Sequence, residues 1–332
     1  MVLYSVSTLM LVVMKIEGCY VSGVMPRSET LITAYRRLAS GRETYESLKN
    51  LALDETRETI KIQQEAGLSH VAEGQLLWHD LFRPFTESVE GLKTGPLSRW
   101  FDNNVFYKKP VIVSRLKRRA PLLEGYLFTE LVNNLAWKLT TPEPYTFYLL
   151  SEDRAYSRID EAVYDIAEIL SAELRGLGGG QPTLLQLTAS CLATRKLSRD
   201  EVEVVRESVR MIRKGYRGSL MLHLPFVDAS TAFPWILDVG ADIIGLDPYV
   251  SKVENLSGYS FSGYLGVGAI DSRTSYLEPV EYIKRVTESV GSAVSARAIH
   301  LTTSADMEFL PRGVAFSKLK RMAEAYRTFR TG

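Results

Sequence analysis

TLLQLTASCLATRKLSRDEVEVVRESVRMIRKGYRGSLMLHLPFVD, residues 183–228, sets the pattern of the whole chain. TLLQLT (183–188) and SLMLHL (219–224) are short apolar runs of strand length. Between them, Ser198 and Glu201 stand three residues apart ahead of an apolar-periodic segment, the spacing of a helix capping box. Strand, helix, strand is the unit of a parallel sheet covered by helices.

The same alternation extends in both directions. KIEGCYVSGV (15–24), LSHVAE (68–73), YTFYLL (145–150), DIIGLD (242–247), YLGVGAID (264–271) and AIHLTT (298–303) read as further strands. Residues 43–67, 160–177 and 313–329 carry helical periodicity. Eight strands, each followed by a helix or a long connection, predict an α/β fold. The architecture expected is a (β/α)8 TIM barrel with an N-terminal helical and hairpin elaboration. One domain is expected over 1–332, with PVIVSRL (110–116) in a hairpin-like elaboration over 98–120. The apolar start is too short to span a bilayer and lacks a basic leader and a small-residue cleavage site. Residues 1–13 read either as an extension upstream of a start at Met14 or as part of a buried first strand.

Composition narrows the function. The chain is 45% hydrophobic and 24% charged with a net charge of +1, which fits a soluble globular protein and argues against nucleic acid as a partner. Two cysteines, Cys19 and Cys191, exclude a disulfide scaffold and a Cys-rich zinc module, and the expected location is cytoplasmic. No membrane role is expected.

In a packed barrel, chemistry belongs at the C-terminal ends of the strands. That rule selects Val24, Met25, Gln75, Glu143, Thr188, His223, Pro225, Asp247, Asp271, Arg273 and Ser304–Asp306. His79 and Asp80 add an adjacent acid–base pair, although an aspartate beside a helix start is commonly a cap. GLGGGQP (176–182) follows a helix and precedes a strand, which is the wrong order for a phosphate cradle. RLKRRA (115–120) is a solvated hairpin arm or an attraction for an anionic ligand tail, and Arg27, Arg36 and Arg37 have the same two readings. Trp100, Phe101, Phe106 and Tyr107 read as packing of the elaboration or as part of a partner interface.

Several segments, in order, resemble the cobalamin-independent methionine synthase family. They are GVMPRSETL (23–31), QQEAGLSHVAEGQLLWHDLF (63–82), SVEGLKTG (88–95), TTPEPYTF (140–147) and GVAFSKLKRMAEA (313–325). SRWFDNNVFYKKP (98–110) resembles a segment of the zinc-free N-terminal barrel of the family's two-barrel members.

The family uses zinc to ionise homocysteine's thiol, held by a His-x-Cys pair, a glutamate and a second cysteine. By that resemblance His223 matches the histidine, Pro225 replaces a cysteine, Asp247 replaces the glutamate, and Ser304 or Ala305 replaces the other cysteine. Family substrate-holding positions carry Val24, Gln75, Thr188 and Ala189, and the family's proton-donating histidine aligns with Arg273. The resemblance therefore implies a barrel without zinc, inactive alone, that supports methyl transfer from a methyl-tetrahydropterin to homocysteine beside a zinc-bearing methionine synthase barrel. Arg27, Arg115, Lys117 and Arg118 are the candidates for an anionic pterin tail. The alternative is an active zinc-independent methyltransferase with a different donor or acceptor, whose catalytic candidates are Asp80, His223, Asp247 and Arg273.

Overall fold

The computed structural model describes residues 15–101 and 105–331. The reading of residues 1–13 lies outside the described residues. Strands are β1 (Ile16–Cys19), β2 (Val71–Ala72), β3 (Val89–Arg99), β4 (Phe106–Arg118), β5 (Trp137–Pro142), β6 (Glu152–Asp153), β7 (Leu184–Thr188), β8 (Ser219–Leu224), β9 (Ile243–Leu246), β10 (Tyr259–Ile270) and β11 (Val294–Thr303).

Eight of them form one parallel sheet in the order β1-β11-β10-β9-β8-β7-β5-β2. The sheet curls until its two edge strands meet. Ser69 N–H donates to the Cys19 carbonyl at 2.8 Å, Cys19 N–H donates to Ser69 Oγ at 2.8 Å, and Met25 N–H donates to the Gly74 carbonyl at 3.0 Å. The expected barrel is thus present. Its outer faces are covered by helices such as 159–176, 199–215 and 312–331. The main apolar core draws on residues from Ile16 to Tyr326, and Tyr20, Leu184, Met221 and Ile243 form a second, smaller cluster.

The capping box is formed as expected. Ser198 Oγ accepts from Glu201 N–H at 3.2 Å, and Glu201 Oε2 accepts from Ser198 N–H at 2.8 Å. Such a cap stabilises a helix by about 1 kcal/mol.

One strand assignment is corrected. YTFYLL is not a strand: Pro144–Leu149 is a helix, capped by Glu143, whose carboxylate accepts from Tyr145 N–H at 2.9 Å and Thr146 N–H at 2.7 Å. The barrel strand is the preceding WKLTTP, with every residue buried. A lysine in its second position masks it in the apolar pattern.

The elaboration is the antiparallel pair β3–β4, extended by the short β6 alongside β4. Its tip reaches the barrel mouth, where Trp100 packs on Phe82 and Tyr107.

Candidate functional site

The barrel centre is polar. Lys138 projects inward from β5, and its ammonium donates to the Ser22 carbonyl, to Gln186 Oε1 at 2.7 Å and to Thr140 Oγ1 at 3.3 Å. Gln186 Nε2 in turn donates to Ser22 Oγ at 2.9 Å. Ser22 is fixed from the other side by its N–H on Thr303 Oγ1 at 2.8 Å.

His223 completes this layer from β8. Its Nδ1 lies 3.3 Å from Ser22 Oγ, while its Nε2 has no hydrogen-bond partner among the described residues. Burial, with the Lys138 charge nearby, pushes its pKa down to about 3, so the imidazole is neutral. Gly245 on the neighbouring strand leaves room for the ring, since a Cβ there would stand 2.7 Å from His223 Cδ2.

Asp306, just after β11, faces the same centre and accepts from Val24 N–H at 3.2 Å. Burial pushes Asp306 up and Lys138 down, and the attraction between them opposes both shifts. Burial brings Lys138 down to about 7, and the three oxygen acceptors around its nitrogen favour the ammonium over the neutral amine.

A second group stands higher, at the mouth. Asp247, at the end of β9, accepts from Phe226 and Tyr249 N–H groups at 3.1 Å each and faces Arg273 Nη1 at 3.3 Å. Burial raises its pKa to about 6 against the pull of Arg273. Arg273 is aimed by Asp271, whose Oδ1 accepts from its Nε at 2.9 Å, and it lies over the Tyr249 ring at 5.5 Å. Behind them, Lys318 and Glu278 form a buried pair at 2.8 Å, and Glu278 Oε1 accepts from Asp271 N–H at 2.9 Å. The last helix thereby fixes the loop that carries Arg273.

The third feature is a cavity of about 180 Å³ between the mouth and the hairpin. Trp100, Phe106, Tyr107 and Phe309 give it aromatic walls, and Asp80, Asp306 and Glu308 give it carboxylates. Arg27 lies behind Glu308, with Nη1 at 3.7 Å from Oε2 and Nε donating to the Leu76 carbonyl at 3.0 Å. Burial is the largest influence on Glu308 and raises its pKa to about 7. Arg27 opposes the shift, and the neighbouring Asp306 and Asp80 charges add to it.

Of the residues singled out from sequence, the structure brings Asp247 and Arg273 together and puts Asp80 beside Asp306 and Glu308. His223 stands deeper, in the Lys138 layer. Asp80 is occupied as a cap: Oδ1 accepts from Phe82 N–H at 3.0 Å and Arg83 N–H at 2.9 Å, and Oδ2 accepts from Lys108 N–H at 3.1 Å. His79 packs against the Tyr35 ring at 4.4 Å instead of bonding to Asp80.

The basic cluster lies at the far end of β4 from Phe106, roughly 35–40 Å away along a strand of that length. There Arg115 pairs with Asp165 at 3.0 Å and Arg118 with Glu173 at 2.5 Å, both on helix 159–176. Lys117 is exposed on the same arm. Arg36 and Arg37 are exposed in the last turn of helix 29–39.

Sequence reasoning missed Lys138, Gln186, Ser22 and Glu308. The signal for the first two was a charged or amide side chain inside a strand-length run, WKLTTP and TLLQLT respectively.

Among the described residues no three or more His, Cys, Asp or Glu side chains converge as a metal-binding group. No helix among them is long and apolar enough to cross a membrane.

Fold and mouth together define a parallel α/β barrel with its polar groups gathered at the C-terminal ends of the strands. No family model matches the sequence. The chain is similar to the methionine synthase of Saccharolobus solfataricus, 26% identical over 318 residues, covering 93% of this chain and 94% of that protein. It is similar to the methionine synthase of Sulfurisphaera tokodaii at 26% identity over 317 residues, covering 93% and 91%. In structure it matches a B12-independent methionine synthase from Shewanella sp. W3-18-1 with a TM-score of 0.75 at 18% identity, over 95% of this chain and 98% of that one. The likeness to the cobalamin-independent methionine synthase family, read first from motifs, is thus borne out across the chain.

Proposed function

We propose that this chain is a cytoplasmic, zinc-free methionine synthase-like barrel. It acts as a companion to a zinc-bearing barrel and supports methyl transfer from a methyl-tetrahydropterin to homocysteine. The observation that carries the reading is the ammonium of Lys138 beside His223. Both side chains bond to Ser22, so a positive charge already occupies the layer in which His223 would have to hold a metal. A second cation there would meet repulsion in a medium of low dielectric.

The other family positions point the same way. Pro225 offers no ligating atom, Asp247 is engaged by Arg273, and Asp306 balances Lys138. The thiols of Cys19 and Cys191 are buried and pushed up by that burial, the reverse of what a thiolate ligand needs. These residues do not fit the family's zinc.

The hairpin supports the partner half of the reading. Leu97 is 59% and Phe106 46% exposed, an apolar presentation on the arm that rims the mouth. Arg115 and Arg118 are engaged with helix 159–176 and Arg27 with Glu308 and the Leu76 carbonyl, which leaves the exposed Lys117 as the candidate to meet an anionic pterin tail.

The test is methionine formation from homocysteine and a methyl-pterin by the zinc-bearing barrel of the same organism. It is run with and without this chain, and with this chain alone. Stimulation only in the mixture is expected; no effect in the mixture overturns the companion role.

A second reading, an active zinc-independent methyltransferase with another donor or acceptor, is favoured by the aromatic and acidic cavity at the mouth. Its test is turnover in Asp80, His223, Asp247 and Arg273 variants. Activity surviving all four changes would overturn it.

A further inference from the structure

We propose that the cavity between the hairpin and the mouth binds a methylated onium cation, a quaternary ammonium or a sulfonium head group. The claim rests on the cavity's own lining and stands apart from the companion role. Trp100 and Tyr107 meet edge to face, with ring centroids 5.5 Å apart and planes at 87°, and so form two perpendicular walls. Phe309 and Phe106 add further faces. Aromatic faces attract cations through their negative ring electrostatics, and methylated onium heads are the cations least penalised by leaving water for such walls.

The charge at the floor has one sign. Asp306 and Glu308 enter from the segment after β11 and Asp80 from the segment after β2, while no Lys or Arg is among the described lining residues. Cations outside the lining face them as well: Arg27 Nη1 is 3.7 Å from Glu308, Arg83 Nη2 is 3.7 Å from Asp80, and Lys138 acts on Asp306 from the barrel centre. Burial raises the Glu308 carboxyl first, and the neighbouring Asp306 and Asp80 charges add to that rise. A cation in the cavity would oppose that rise, whereas an anionic ligand would add to it.

Size restricts the ligand as well. About 180 Å³ is below the 300–1,000 Å³ common for drug-sized ligands, so a compact head group fits and a nucleotide does not. Across the hairpin, the Arg99 guanidinium of β3 lies 5.8 Å from the ring centroid of the rim residue Phe106 of β4, a cation on an aromatic face.

The experiment is isothermal titration of the full chain with choline, with trimethylsulfonium and with 3,3-dimethylbutan-1-ol, the uncharged isostere of choline. Choline is expected to bind at least tenfold more tightly than the alcohol, with trimethylsulfonium also binding. Glu308→Gln and Phe309→Leu should each weaken choline several-fold, with circular dichroism checking that both variants remain folded. Equal binding of choline and the alcohol, no binding of either onium ion, or full affinity in both variants overturns the proposal.

Discussion

The Oγ of Ser22 lies 3.3 Å from Nδ1 of His223, while Nε2 of the same ring is buried without a partner among the described residues. Burial, with the Lys138 charge nearby, keeps this histidine a neutral element of the barrel centre. A histidine held neutral to about pH 3 in the fold, against an ordinary value of 6.5, binds its proton only when the chain unfolds. Its contribution to stability is therefore complete above pH 6.5 and is lost as pH falls from 6.5 toward 3. Urea melts of wild type and His223→Gln at pH 7 and pH 5 should show a smaller acid-side loss in the variant. Parallel losses would contradict the assignment.

Lys138 should be the most sensitive position in the barrel centre. Replacing it with methionine leaves Gln186 Oε1 without its 2.7 Å donor and Asp306 without its balancing charge. Leaving buried acceptors without their donor costs about 1–3 kcal/mol. Chemical denaturation of Lys138→Met should show a loss of that order, partly recovered when Asp306→Asn is added. A double variant less stable by the sum of the two single losses would mean that the two residues do not act together.

Lys138 also marks where sequence reading failed. TLLQLT, SLMLHL and the capped helix between them are legible because local periodicity and tertiary burial agree there. In WKLTTP they disagree: a strand with every residue buried carries a lysine, whose charge is balanced by residues far away in sequence. Periodicity cannot register such partners and assigns the strand to the apolar run after it, YTFYLL, although Glu143 and Pro144 start a helix there. At the mouth, Asp247 and Arg273 were legible as strand-end residues, and their 3.3 Å pairing was not. Asp80 was legible both as a candidate and as a cap, and the cap is what its hydrogen bonds form.

The basic arm gives a contrast between neighbours. Glu173 accepts from Leu122 N–H at 2.6 Å, Leu123 N–H at 2.9 Å and Arg118 Nε at 2.5 Å, so it ties the end of the hairpin to helix 159–176. Glu173→Ala strands these buried donors and should destabilise by roughly 2–4 kcal/mol. Lys117→Ala, at an exposed position, should stay within about 0.5 kcal/mol of wild type. Thermal melts of the two variants decide the matter.

The mouth pair depends on a contact behind it. Lys318 and Glu278 are buried at 2.8 Å, and Glu278 also holds the Asp271 backbone. Lys318→Met should lower stability by about 3–5 kcal/mol. In Glu278→Gln, which keeps an acceptor for Asp271 N–H, protection of that amide from hydrogen exchange should persist better than in Glu278→Ala. Equal loss of protection in both would remove Glu278 from this role.

We propose that Lys138, bonded at the barrel centre to Ser22 and Gln186, leaves no place there for a catalytic zinc. Zinc titration of chelator-treated protein, in competition with a chromophoric chelator, tests it directly, with His223→Gln alongside. The account predicts no stoichiometric tight binding in either protein. One equivalent of tightly held zinc in the wild type, lost on replacing His223, would contradict it.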